Sequence, residues 1–318
     1  MFYIDQTAAS FLNARDEHYR CLRYIIKKKL MGKYFTEAHP KNLSREIKKV
    51  NGIHSSISSF LNDEHNLEDV LIGSPETLNK IKSKFRTAKQ KASIRALFRY
   101  DGFTKKELDE TFGFYNAYHL AENLDMQTCV YCNRLYTTTI ITAKREFVAR
   151  ATFDHWFPKS TYPLLALSFY NLVPSCNVCN SSVKGSDNYS IAKVFHPYFK
   201  SADVNNVLDL RFSYTMENHL NAQSKIVPNN PFTKLSLKVM KLDEMYTTHK
   251  DEIRELIFLK KAYSDAYLSS LQNMLNIDLS PEEIYRLAFG VYLEDQSLIR
   301  RPLSKLKKDI LIELGMIK

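Results

Sequence analysis

The sequence predicts an α+β protein, predominantly helical, with a small β-containing core set between two helical flanks. Three observations lead there. Only eight of 318 residues are glycine, few for a chain built on tight turns. Apolar residues repeat at helical spacing from the start to about residue 120, and again from about residue 205 onward. Between these stretches the period is lost, and β-branched residues, prolines and two cysteine pairs take over. The regions are therefore a helical N-terminal part, 1–120, a core, 121–200, and a helical C-terminal part, 201–318.

In the first region Ser74-Pro75-Glu76 reads as a helix start, with a capping hydroxyl, a proline at the first helical position and an early acid. Leu78, Ile81, Phe85, Ala88 and Ala92 then predict one continuous amphipathic helix with its basic residues on the other faces. In the core, Tyr136–Thr142 and Glu146–Phe153 are strand-like, and the polar break Ala143-Lys144-Arg145 predicts a β-hairpin between them. A loop punctuated by Pro158, Pro163 and Pro174 follows, and then a short helix from Asn177 to Lys184 closed by Gly185. In the third region a short strand is expected near Leu210–Tyr214. Beyond it run a helical stripe of Leu256, Leu259, Tyr263, Tyr267, Leu271 and Met274, a helix started by Ser280-Pro281-Glu282-Glu283, and a last helix ending at Gly315. The stripe at this spacing is core.

An apolar content of 44% excludes bulk disorder. No uninterrupted apolar run reaches the roughly 18 residues of a membrane span. The opening residues carry Asp5 and lack the basic segment of a signal peptide. The expected location is a reducing cytoplasm, where clustered cysteines are metal ligands rather than disulfides. Cys21, inside an apolar-periodic segment, reads as a core thiol.

Lys plus Arg outnumber Asp plus Glu by 45 to 35, a net charge of +10, which points to a polyanionic partner. Eight basic residues and no acid lie between Lys80 and Arg99; further runs extend from Arg23 through Lys27–Lys29 to Lys49 and around Arg300, Arg301, Lys305, Lys307 and Lys308. Each run alone reads equally well as a solvated helix face. Together they favour phosphate contacts.

The chemistry lies in the core. Cys129/Cys132 and Cys176/Cys179 form two CxxC pairs in turn-like contexts and together supply a tetrahedral sulfur shell suited to structural zinc. With every position filled by sulfur, such a zinc does no chemistry and staples hairpin to helix. Inside the staple, Asp154 and Asn180 offer hard oxygen ligands for Mg²⁺ or a similar cation. His155 is then free to act as a base, as phosphodiester cleavage requires.

Cys-Val-Tyr-Cys (129–132), Asp-His-Trp-Phe-Pro-Lys-Ser (154–160), the run from Tyr170 to Asn180, and Lys184-Gly185 resemble the HNH endonucleases with a ββα-metal core and a CxxC…CxxC zinc. His155, Asn171 and Asn180 fall on the signature positions, and the match covers about 70 of the 318 residues. The resemblance implies His155 as general base and Asp154 with Asn180 as ligands of one catalytic Mg²⁺ or Mn²⁺. It also implies Asn171 as the residue that holds the catalytic loop. Asparagine rather than histidine at position 180 leaves the preferred metal open.

The wider pattern, Phe157-Pro-Lys-Ser160, the Tyr170–Cys176 run and Phe195-His-Pro-Tyr-Phe199, resembles HNH proteins of bacterial anti-phage systems, of the Septu type or retron-associated. That implies a defence effector cutting DNA, with an ATPase partner and a retron complex. An RNA endonuclease, for example against transfer RNA, and a non-catalytic zinc-containing nucleic-acid-binding or scaffold protein are the alternatives. Lys159 reads as a contact to the scissile phosphate or as a loop lysine. His196 reads as a further active-site group or as a core His-Pro. Lys184 reads as a helix C-cap, and Trp156 as packing around the site or a base-stacking ring.

Overall fold

A computed structural model describes residues 1–41, 46–106, 109–199, 209–218, 221–262 and 281–317. The chain is α+β and mainly helical, with three separate two-stranded antiparallel sheets among the described residues. One hydrophobic cluster runs through all three regions, from Met1 to Met316, so the helical flanks share a core with the centre. Among the described residues no helix is long and apolar enough to cross a membrane.

Helix α1, Ala9–Met31, is the axis of the N-terminal region. It packs against α2 (Ser55–Asn62), α3 (Glu64–Ile72), α5 (Ala88–Phe98) and α7 (Ala117–Leu124). Cys21 is fully buried on it, and burial pushes the thiol up to about 12, consistent with an inert core residue. The basic stretch on α1 turns inward. Lys27 donates to the Asn62 carbonyl and Lys29 to the Leu97 carbonyl, so two buried ammoniums cap the last turns of α2 and α5, where cations are favoured. Arg23 is held by Glu37 and Glu64. The C-terminal basic run is likewise engaged: Lys305 with Asp309, Lys308 with Asp295, and Arg301 with the Gly290 carbonyl.

The helix expected from Ser74 is two helices. Ser74 caps α4, Pro75–Ile81, as expected, but α4 ends there. Thr87 then opens α5 with a reciprocal capping box, its hydroxyl accepting from Gln90 N–H and the Gln90 side chain accepting from Thr87 N–H. The break also changes the stripe: Ala88 and Ala92 are exposed, and the core face of α5 is Ile94, Leu97 and Phe98. A five-residue helix, α6 (Tyr100–Thr104), follows at once, entered through Arg99 in the left-handed region at φ 39°.

The central region also departs from the expected hairpin. A hairpin does form, but it is short, β1 (Ile140–Ile141) against β2 (Phe147–Ala149). The next strand, β3 (Thr152–His155), pairs instead with β4 (Leu172–Ser175), pairing Asp154 with Val173 and His155 with Leu172. β4 was expected as loop, because Pro174 argues against a strand. The sheet has only two strands, so a proline costs no second ladder there. The helix after it, Val178–Lys184, is a π-helix, closed by a Gly185 N–H to Asn180 carbonyl bond and by Gly185 at φ 53°.

The strand expected near Leu210–Tyr214 is a full hairpin, β5 (Leu210–Asn218) with β6 (Asn221–Pro228). It packs against α8 (Pro231–Val239), α9 (Leu242–Tyr246), α10 (Lys250–Ala262) and the C-terminal helix α12 (Ser304–Glu313). The helix Pro281–Phe289 (α11) and the stop at Gly315 are as expected. Leu256 is buried, while Tyr263, Tyr267, Leu271, Met274 and Ser280 lie outside the described residues.

Candidate active site and metal centre

The first cysteine pair sits in a tight knuckle. Thr128 bridges to Tyr136, Cys129 N–H donates to the Leu135 carbonyl, and Asn133 N–H donates to the Cys129 carbonyl. Asn133, buried at φ 51°, donates through its side chain to the Leu298 and Arg301 carbonyls, and Tyr246 donates to the Cys132 carbonyl. The C-terminal region thus frames this turn. The second pair lies where β4 passes into the π-helix.

The four sulfurs lie within 4.8 Å of one another, all buried, with Cys132 and Cys176 3.9 Å apart. A tetrahedral shell with metal–sulfur bonds near 2.3 Å sets its sulfurs about 3.8 Å apart, so the donor set fits zinc in both chemistry and spacing. Backbone N–H groups of Arg134 and Cys179 point at Cys132 and Cys176 sulfurs, at 3.4 and 3.5 Å. Hydrogen bonds from Cys129 hold Cys132 and Cys176 below the ordinary thiol range, and burial holds Cys129 above it. Four clustered, buried cysteines can therefore hold a metal ion such as zinc. It would join the start of the π-helix, as expected, to the 128–136 knuckle rather than to the β1–β2 hairpin.

Asp154 and His155 end strand β3, one residue apart and both buried. The Asp154 carboxylate is fully engaged. Its Oδ1 lies 3.2 Å from Lys184 Nζ and its Oδ2 accepts from Tyr131 Oη at 2.6 Å; the Asp154 and Lys184 side chains are each 1% exposed. Burial raises the Asp154 pKa, and Lys184 and Tyr131 oppose it. Lys184 Nζ also donates to the His155 carbonyl at 2.8 Å, clamping the π-helix to β3. Lys184 was expected as a helix C-cap; it does end the helix, but its ammonium serves Asp154 and the strand.

His155 Nε2 lies 2.9 Å from the Ala166 carbonyl. A carbonyl only accepts, so the neutral ring carries its hydrogen on Nε2 and keeps a lone pair on Nδ1, which has no hydrogen-bond partner among the described residues. Burial, with smaller contributions from Lys159 and Lys184, pushes the histidine down to about 3. The ring is therefore neutral at physiological pH. Tyr100 packs edge-to-face on it, with centroids 4.4 Å apart.

Asn171 is fully buried and holds the loop between β3 and β4. Its Oδ1 accepts from Phe157 N–H at 2.7 Å, and its Nδ2 donates to the Phe157 and Leu165 carbonyls at 3.1 and 2.9 Å. Asn180, half-buried, lies one turn ahead of Lys184 on the π-helix. Because Lys184 and Tyr131 occupy both Asp154 oxygens, the carboxylate as folded does not fit a divalent cation, which would have to displace Lys184 first.

Lys159 stands over the Tyr100 ring at 4.4 Å and near Asp101. With Arg95, Arg99, Tyr100, Asp101, Ser160 and Ala166 it lines a cavity of about 270 Å³, two of whose wall residues, Tyr100 and Ala166, touch His155. His196 is not brought to this cavity. It is buried behind the loop with its ring 4.6 Å from that of Trp156, and burial pushes it down to about 3. Trp156 is itself buried and donates to the Phe195 carbonyl, which removes it as a stacking platform.

Tyr131, Tyr100 and the pairing role of Lys184 escape sequence reasoning. Tyr131 sits inside a CxxC, where only the cysteines signal, and Tyr100 is remote in sequence. Fold and site together define a mainly helical α+β protein with a buried four-cysteine centre beside an Asp-His strand end. Comparisons with protein-family models, curated proteins and solved structures found no match to this chain.

Proposed function

We propose that the chain is an HNH-type endonuclease that hydrolyses phosphodiester bonds in DNA, with zinc as a structural staple and His155 as the general base. The observation that carries this reading is the state of His155. Its Nε2–H is fixed on the Ala166 carbonyl, its ring is neutral, and its Nδ1 lone pair is unused. The order around it supports the same reading: strand, Asn171-held loop, returning strand, then a helix carrying Asn180 and Lys184.

In this reading Nδ1 takes a proton from the attacking water, whose oxygen bonds to phosphorus as the P–O bond to the leaving sugar oxygen breaks, and that oxygen takes a proton from solvent. A phosphate anion bound beside the histidine raises its pKa from the buried value and strengthens it as a base. Lys159, Arg95 and Arg99 offset the charge that grows on the phosphate oxygens. No step is assigned to a cation on Asp154. RNA, including transfer RNA, is the second substrate class, since such a site engages phosphate and sugar. The resemblance adds an anti-phage effector role with an ATPase partner and a retron complex.

The test is cleavage of plasmid, single-stranded DNA and total RNA with Mg²⁺, Mn²⁺ or no added cation, beside His155→Ala. Cleavage by the wild type alone supports the reading, and the substrate cut decides DNA against RNA. Equal cleavage by the variant, or none by the zinc-loaded wild type with or without the proposed partners, sinks it and favours a zinc-containing scaffold.

A further inference from the structure

Of the three basic runs, only Lys80–Arg99 keeps most of its charge facing outward: Lys80, Lys84, Arg86, Lys89, Arg95 and Arg99 are exposed. The run ends at the cavity beside His155. α5 packs on the short helical turn Pro163–Leu165 of the β3–β4 loop, which brings Arg95 and Arg99 from the N-terminal region opposite Lys159 from the core. Arg95 donates to the Ser160 carbonyl and has no carboxylate partner among the described residues.

Arg99 is held in place for the cavity. Its guanidinium pairs with Asp109 and lies against Gly102, where an added Cβ would meet Nε and Nη2 at 2.7 and 2.8 Å. A side chain at 102 would have to push the guanidinium aside, so Gly102 leaves room for Arg99 where it stands.

The aromatic residues of the wall have no face to offer. Phe98 is buried, and the Tyr100 ring is taken by His155 and Lys159. A site that held unstacked bases would present stacking faces to them, whereas contacts to phosphate carry no sequence information. This one presents three cations against one exposed carboxylate, Asp101, which lies 3.4 Å from Lys159 Nζ.

We propose that this cavity is a phosphate-binding seat for a polynucleotide, in which Arg95, Arg99 and Lys159 grip the backbone and recognition is indifferent to base sequence. The seat rests on the hydrolase reading only for what happens next to it, since binding is measurable without cleavage. It makes the N-terminal helical region part of the site, supplying two of its three cations.

The experiment is binding of full-length His155→Ala to labelled DNA duplexes of mixed and of alternating A·T sequence across a NaCl series. Arg95→Ala and Lys159→Ala are added in that background, with Lys238→Ala, exposed on α8 (Pro231–Val239) outside the cavity wall, as control. Each cavity variant should lower the slope of log affinity against log salt by about 0.9 and weaken both duplexes equally. The Lys238 variant should do neither.

Slopes unchanged in both cavity variants, a tenfold preference for one duplex (about 1.4 kcal/mol), or no binding at all would overturn the proposal. Binding with these slopes but no cleavage by the wild type would remove the hydrolase reading and leave the seat. Cleavage that survives both substitutions at full rate would do the reverse.

Discussion

Lys184 Nζ lies 3.2 Å from Asp154 Oδ1 with both side chains sealed from water. Removing one member of such a pair leaves a charge buried without its partner. Lys184→Met is therefore expected to cost about 3–5 kcal/mol in urea unfolding. Adding Asp154→Asn should restore part of that loss, giving a coupling energy of at least about 1 kcal/mol in the double-mutant cycle. Unchanged stability in the single variant would show that the pair does not form in solution.

Zinc removal should act on the whole core. Purified protein is expected to carry about one tightly held zinc per chain. Cys176→Ser with Cys179→Ser should abolish it and lower the melting temperature, because the Cys129/Cys132 knuckle then loses its link to β4. Metal analysis with thermal melting checks this; a metal-free variant that melts like the wild type contradicts the staple.

Asn171 makes three hydrogen bonds that tie the loop together. Asn171→Ala should cost at least about 2 kcal/mol, since each buried group left unpaired costs about 1–3 kcal/mol. Chemical denaturation reads the loss. If the hydrolase reading holds, cleavage should fall with it, as the loop carries the Ala166 carbonyl that orients His155.

Acid should unfold the protein earlier than its carboxylates alone would. Burial pushes His18 and His119 down to about 4 from an ordinary 6.5. The fold favours their neutral forms, so this stability is complete above about pH 6.5. It is lost as the pH falls from there toward about 4, where the unfolded chain binds protons that the native chain refuses. For fully buried His18 the slope is about 1.4 kcal/mol per pH unit within that window. Melting temperatures at pH 7.5 and 5 test this, and equal values would contradict it.

The sequence revealed the two cysteine pairs, the Asp154-His155 strand end and the Gly185 stop, because each is local chemistry at fixed spacing. Ser74 was legible as a cap, and so was the predominance of helix. The break at Thr87 was missed because the apolar period ran through it, although Thr87 and Gln90 carry a capping-box signal in their own spacing. β4 was hidden by Pro174, tolerated in a sheet of only two strands. The basic runs were misread where Lys27 and Lys29 turn inward, since a count of charges does not say which lysines meet a helix end. The company of His155 was illegible: Tyr100 and Ala166 reach it through tertiary packing.

The π-helix carries one residue more per turn than an α-helix, closed by Gly185 on Asn180. Such a turn is a built-in length allowance. Deleting Ser181 or Ser182 would let it rewind as an α-helix while the Cys179 and Lys184 ends keep nearly the same facing. This segment should therefore absorb a one-residue deletion that would throw an ordinary helix out of register. The site's most crowded anchor is also a place where the chain can change length.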